Sequence, residues 1–242
     1  MVDRTHRYTS QAKQALRNTE LRWGGTAGWE PELDQQEGIK LKGGQILPSG
    51  ATGNHTFLED FESGDLAGWD VEQRSSGFSW QLASEPTHSG NFAGRLHTDG
   101  KGSVVRPVPE TTASGPYVVW IQQTADPYDD VKLYWKSAAK ETLFRLNFNR
   151  EITQNVHVNH TNRGWTFPSN TWIRITVSNV DFGSGIYNWK IDREDGHVYD
   201  SAEATFDPLV ASEVGQFCIH ASHYGRGTGN FYVDDISISD TN

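Results

Sequence analysis

From His55 to Ser239 the chain breaks into short stretches separated by Gly, Pro, Asn and Asp, and a sequence punctuated so often leaves no room for long helices. The predicted strands are Thr56–Phe61, Ser79–Ala83, Phe92–His97, Ser103–Arg106, Tyr117–Thr124, Val131–Lys136, Phe144–Asn149, Ile152–Asn159, Thr171–Val177, Gly185–Asp192, Val198–Thr205, Val214–Ala221 and Asn230–Ser239. Trp172-Ile173-Arg174-Ile175-Thr176-Val177 and Leu143-Phe144-Arg145-Leu146-Asn147-Phe148 alternate apolar and polar residues, the period of a half-buried strand. Glu194-Asp195-Gly196 is an Asp-Gly hairpin signal. About thirteen short strands without a convincing helix predict two packed antiparallel sheets. The fold class is all-β, an antiparallel jelly-roll β-sandwich over 55–242.

Residues 1–54 differ in character. Ser10 to Trp23 predicts one short helix, capped by Ser10 and stopped by Gly24-Gly25, with Ala12, Leu16 and Leu21 in partial apolar spacing. Gly24 to Asn54, rich in Gly, Pro, Gln and Ser, reads as a mostly extended arm. Trp23, Trp29, Leu33 and Ile39 are costly to leave in water, so the arm is expected to order against copies of the same chain and other virion proteins. The stretch Met1–Arg7 lacks the apolar core of a signal peptide, and this adds to the expectation of a virion component.

A formal charge of −10 argues against a nucleic-acid partner, and no apolar run is long enough for membrane insertion. Cys218, the single cysteine, lies in the apolar run Phe217-Cys218-Ile219 and reads as a buried small hydrophobe. There is no Gly-x-Ser-x-Gly elbow, His-Glu-x-x-His pair or phosphate loop. The cluster Glu59-Asp60-Phe61-Glu62 lacks the alternation that projects several acids from one strand face, so no catalytic residues are assigned.

Two bookends frame the sandwich. The first is Asp60-Phe61-Glu62-Ser63-Gly64-Asp65-Leu66-Ala67-Gly68-Trp69, and the last is Tyr232-Val233-Asp234-Asp235-Ile236. With Trp80, Thr87-His88-Ser89-Gly90-Asn91-Phe92-Ala93-Gly94-Arg95-Leu96, Asn170-Thr171-Trp172 and Gly185-Ile186-Tyr187-Asn188-Trp189, they resemble concanavalin A-like, laminin-G-like and carbohydrate-binding-module jelly rolls. MAM domains share the pattern, but their cysteines are absent here. The resemblance implies recognition or adhesion rather than catalysis, with a cell-surface glycan as ligand.

First and last strands are commonly neighbours in such modules, which brings Glu59 and Glu62 towards Asp234 and Asp235. Such acids repel unless a cation or hydrogen-bond donors compensate. Where a cation compensates, the resemblance implies a structural Ca²⁺; the plainer reading is that backbone amides or solvent satisfy these carboxylates. Alternation places Asp234 and Asp235 on opposite faces. The expected ligand loop is His220–Asn230, where His220, His223, Tyr224 and Arg226 accompany several glycines that permit close approach. The plainer reading is a structural loop with His220 packed. Trp120, Trp135 and Trp189 read as core, whereas Trp165, in a loop-like context, is the candidate for stacking on a sugar.

Overall fold

The computed structural model describes residues 54–98, 100–124, 130–149, 155–159, 161–209, 211–222 and 229–240. Asn54–Asn242 forms one compact unit. The arm, its predicted helix at Ser10–Trp23 and residues 125–129 lie outside the described residues.

Two antiparallel sheets stack face to face. The first runs in the order β13 (Val198–Thr205), β12 (Ile186–Asp192), β11 (Ile173–Asp181), β6 (Tyr117–Gln123), β15 (Asn230–Asp240), β4 (Ala93–Thr98), β3 (Phe78–Ala83). β1 (Asn54–Glu59) also pairs with β15, from Asn54 opposite Asp240 to Glu59 opposite Ile236, so the first and last strands are neighbours. The second sheet runs β10 (Thr161–Asn162), β9 (Asn155–Val158), β8 (Thr142–Asn149), β7 (Asp130–Lys136), β14 (Val214–Ser222), β5 (Gly102–Thr111), β2 (Asp70–Arg74).

Alternation fixes what lies inside. Ile173, Ile175 and Val177 of β11 join Val131, Leu133 and Trp135 of β7 in a single core that also holds Tyr117, Phe144, Phe148, Tyr187, Phe217 and Phe231. Trp135 and Trp189 are core residues, as the pattern predicts. The Asp195-Gly196 hairpin closes with Arg193 N–H donating to the His197 carbonyl at 2.9 Å, Gly196 standing at φ +85°. Two strands escape the sequence pattern, β2 and β10. No helix among the described residues is long and apolar enough to cross a membrane.

Candidate functional site

Around the β1–β15 pairing the acidic residues of the two bookends each sit on their own set of donors. Glu59 is buried and accepts hydrogen bonds from Phe61 N–H (3.2 Å) and the Trp69 indole N–H (3.2 Å), with the Arg106 guanidinium at 3.0 Å. Glu62 accepts from the Asn91 amide (2.6 Å), the Asn91 side chain (2.7 Å) and the Phe92 amide (2.8 Å). Only glycine fits at Gly90, φ +62°, because a Cβ there would lie 2.4 Å from the Glu62 carboxyl.

Asp234 is fully buried and accepts from the amides of His88 (2.9 Å), Ser89 (3.3 Å) and Asp235 (2.9 Å). Asp235 accepts from the Ser89 hydroxyl at 2.9 Å and holds His88 Nδ1 at 2.6 Å. The expectation that these two aspartates face opposite ways does not hold. The pairing of β15 with β6 slips between Asp234 and Ser237, and Asp235 takes φ +45°. This irregularity breaks the period of two, so both carboxylates clasp the same 88–89 turn.

Electrostatically the seam is under tension. Burial pushes the Asp234 carboxyl up to about 8, helped by the Asp235 charge and outweighing three backbone donors. Burial also raises Glu59, against the opposing pull of Arg106, and Asp60. Each of the four acids is engaged by protein donors, and among the described residues no group of three or more His, Cys, Asp or Glu is placed to hold a metal. This donor set does not fit an ion shared by all four.

Of the predicted ligand loop, His223, Tyr224 and Arg226 lie outside the described residues. His220 belongs to β14 rather than to the loop, half-buried, with Nε2 3.0 Å from the Ser222 hydroxyl. Trp165 lies elsewhere. It is half-buried, stacked on Tyr199 of β13 with ring centroids 5.1 Å apart, and packed against the core. Following β10, it stands four strands from β14 in the second sheet, or roughly 19 Å at the usual strand spacing. The structure does not bring Trp165 to His220.

What His220 does join is the outer face of the second sheet. Register places Ser103, His220, Lys132 and Asn147 in one row across β5, β14, β7 and β8, and Val105, Cys218, Tyr134 and Arg145 in the next. Val131, Leu133 and Trp135 point inward, so Lys132, Tyr134 and Lys136 point outward. An open cavity of about 590 Å³ lies on this face, lined by Lys132, Tyr134, Lys136, Lys140, His220 and Glu72, with Ser103 and Cys218 beneath. The Tyr134 ring has Lys136 Nζ 5.0 Å from its centre on one side and the Arg145 guanidinium at 5.7 Å. Lys140 is paired with Glu72 at 2.7 Å. Cys218 is inert here: burial pushes its thiol up to about 11.

Sequence reasoning missed this face. Its signal was present in the outward positions of Val131–Lys136 and of β8. Each strand alone is an ordinary half-buried strand, and only the pairing with β14 assembles them.

No family model and no curated protein matches the chain. Similar solved structures include a sialidase, with TM-score 0.57 and 9% identity over 78% of this chain and 19% of that one. The chain thus spans about a fifth of the sialidase's length. An endo-β-1,4-glucuronan lyase from the fungus Trichoderma reesei matches with TM-score 0.54 and 14% identity, over 78% of this chain and 96% of that one. A carbohydrate esterase from Shiga toxin-encoding bacteriophage phi24B gives TM-score 0.54 and 14% identity, over 78% and 100%. At these identities the likeness is one of fold. The described residues share the jelly-roll β-sandwich fold of these structures.

Proposed function

We propose that the chain is a glycan-recognition β-sandwich whose ligand lies on the outer face of the second sheet, across Tyr134 and His220. The observation that carries this is the half-buried row of polar and aromatic side chains lining the cavity there. A sugar ring needs a flat apolar face to rest on and donors or acceptors at its edge, and Tyr134 with Ser103, His220 and the lysines supplies both. The neighbouring folds named above, all carbohydrate-active by title, support the reading. Its finer form is a virion surface component, such as a spike, turret or tail fibre, that binds host glycans as an oligomer built through residues 1–54. A carbohydrate-binding module or adhesin of a secreted protein is the alternative. A glycan array probed with the full chain and with Tyr134→Ala tests the site. Array binding that Tyr134→Ala abolishes supports it, and equal binding by both proteins removes it.

A second reading concerns catalysis. Hydrolysis by paired carboxylates draws no support from the described lining of this cavity, where Glu72 is the carboxylate and is tied to Lys140. Tyr134 and His220 favour β-elimination from a uronate instead. In that reaction a base takes the proton next to the carboxylate, the C4–O bond breaks as a C=C bond forms, and an acid protonates the departing oxygen. Ultraviolet absorbance of an unsaturated product reports it, and an unchanged absorbance with uronate polymers excludes it.

For a structural Ca²⁺ at the seam, the unfolding midpoint is the test. A higher unfolding midpoint on adding calcium, reversed by EDTA, supports it. An unchanged midpoint leaves the protein donors as the whole of the compensation.

A further inference from the structure

Alternation settles which side chains of the first sheet look away from the core. Leu96 of β4, Phe231 and Val233 of β15 and Ile121 of β6 are buried within it, so Arg95, Tyr232 and Gln122 point to the outer face. Register sets these three in one row with Gln81 of β3: Gln81 opposite Arg95, Arg95 opposite Tyr232, Tyr232 opposite Gln122. Trp172, the residue before β11, comes next to Gln122, because Ile173 pairs with Ile121. One row along, the His88 ring covers Trp120 at 3.7 Å and meets Trp172 edge-on at 5.8 Å.

This face holds three polar atoms that no hydrogen-bond partner among the described residues reaches. Gln122 is 8% exposed with its Oε1 unpartnered, and Arg95 Nε and His88 Nε2 are shielded and unpartnered too. Each asks for a different contact. Gln122 Oε1 accepts. His88 gives Nδ1 to the Asp235 carboxylate, so its neutral ring presents Nε2 as a second acceptor. Arg95 Nε donates and carries positive charge. Arg174 and Lys190 on the same face share Asp192, and the Asp234 carboxyl, one row from Arg95, is taken by the 88–89 turn. Arg95 instead meets Gln81, a neutral partner, through Nη2. A half-buried guanidinium without a carboxylate, in a chain of 31 acids against 21 lysines and arginines, leaves a charge to be matched from outside.

We propose that this row binds a sugar acid, its carboxylate on Arg95 and its hydroxyls donating to Gln122 Oε1 and His88 Nε2. Two acceptors call for hydroxyl donors and one uncompensated cation calls for an anion, and a polyhydroxylated carboxylate carries both on one small molecule. Arg95 and Gln122 stand two strand spacings apart across Tyr232, roughly 9–10 Å at Cα, a span that suits one sugar ring with its substituents. The site lies on the opposite side of the sandwich from the Tyr134 cavity and goes beyond the function proposed there. Its three polar atoms are closed to bulk water as they stand, so a ligand enters by moving a side chain. Arg95 is the one placed to swing, since exposed Gln81 holds it and a ligand carboxylate makes the stronger, charge-assisted bond.

The test follows the Arg95 Nε–H and Trp172 indole signals of the full chain by NMR while glucuronate, glucose, acetate or sulfate is added at constant ionic strength. Glucuronate should shift both signals and bind more tightly than the other three. Read at Trp172, Arg95→Ala should weaken it at least about tenfold. Gln81→Ala, which removes the competitor for Arg95, should tighten it about threefold, an effect that a merely structural role of Gln81 does not produce. If Arg95→Ala fails to fold, Gln81→Ala decides, and unchanged or weaker binding overturns the site. Acetate or sulfate bound as tightly as glucuronate leaves a bare anion site and overturns the sugar acid. Glucose bound as tightly overturns the carboxylate. Glucuronate that binds Arg95→Ala as tightly as the parent sits elsewhere, which overturns this site and leaves the glycan reading of the second sheet standing. No shift with any of the four also overturns the site, while the glycan array still decides the second-sheet reading.

Discussion

Asp234 is buried beneath the 88–89 turn, with Asp235 beside it and the Asp60 charge close enough to interact with Asp235. Its carboxyl is raised from 3.8 to about 8. A carboxyl that ionises later in the fold than in the unfolded chain favours the fold while protonated. That contribution is complete below about pH 4 and disappears as the pH rises towards 8. Raised Glu59 and Asp60 act in the same direction, whereas Asp181 and Asp195, held low by hydrogen bonds from Ser184 and from Arg193, lose stability only in acid. The unfolding midpoint should therefore fall between pH 5 and pH 8. Asp234→Asn, which cannot ionise, should flatten that slope. A parent protein with no slope across this window would mean that the seam is compensated by something other than its own donors.

Among elements, the β3–β4 hairpin shows how the first bookend is packed. A Cβ at Gly94 of β4 would lie 2.3 Å from the Trp80 ring and 2.8 Å from that of Phe61, and Phe61 in turn stacks on Trp69 at 5.8 Å. Gly94→Ala should cost about 1–3 kcal/mol by overpacking, read as a lower midpoint in urea with an unchanged slope. At the opposite edge, Trp165 ties the end of β10 to β13 through Tyr199, so Trp165→Ala should destabilise by about 2–3 kcal/mol while leaving glycan affinity intact. A lost affinity at unchanged stability would restore the stacking role expected from its loop-like context. This contrast marks what was legible in the sequence. Strong alternation disclosed β8 and β11, and the Asp-Gly turn disclosed its hairpin. β2 carries one apolar residue in Asp-Val-Glu-Gln-Arg and β10 has two residues, so neither offers a period to read. The slip in β15 comes from backbone at Asp235, which side-chain spacing does not encode. The cavity was illegible for a related reason, since register between β14, β5 and β7 is a long-range property.

At the scale of the molecule, β1 pairs with β15 from Asn54 opposite Asp240 to Glu59 opposite Ile236, which joins the two ends of the compact 54–242 unit. A 54–242 chain should fold alone, and the comparison with the full chain isolates the arm. One site holding its ligand by an ion pair near the surface gives modest affinity, because exposed pairs are each worth up to about 1 kcal/mol. Linking several sites in one assembly raises avidity by about 10²–10⁴ without any new contact. A surface protein that relies on such a site is therefore expected to be an oligomer, and Trp23, Trp29, Leu33 and Ile39 give residues 1–54 the apolar surface to build one. Light scattering should show the full chain as a stable oligomer and the 54–242 chain as a monomer, with binding to immobilised glycan weakened far more than binding to a soluble oligosaccharide. If both chains are monomers, the virion reading loses its assembly device and the secreted binding module gains. If both are oligomers of equal size, the sandwich itself carries the interface, and the arm has some other partner.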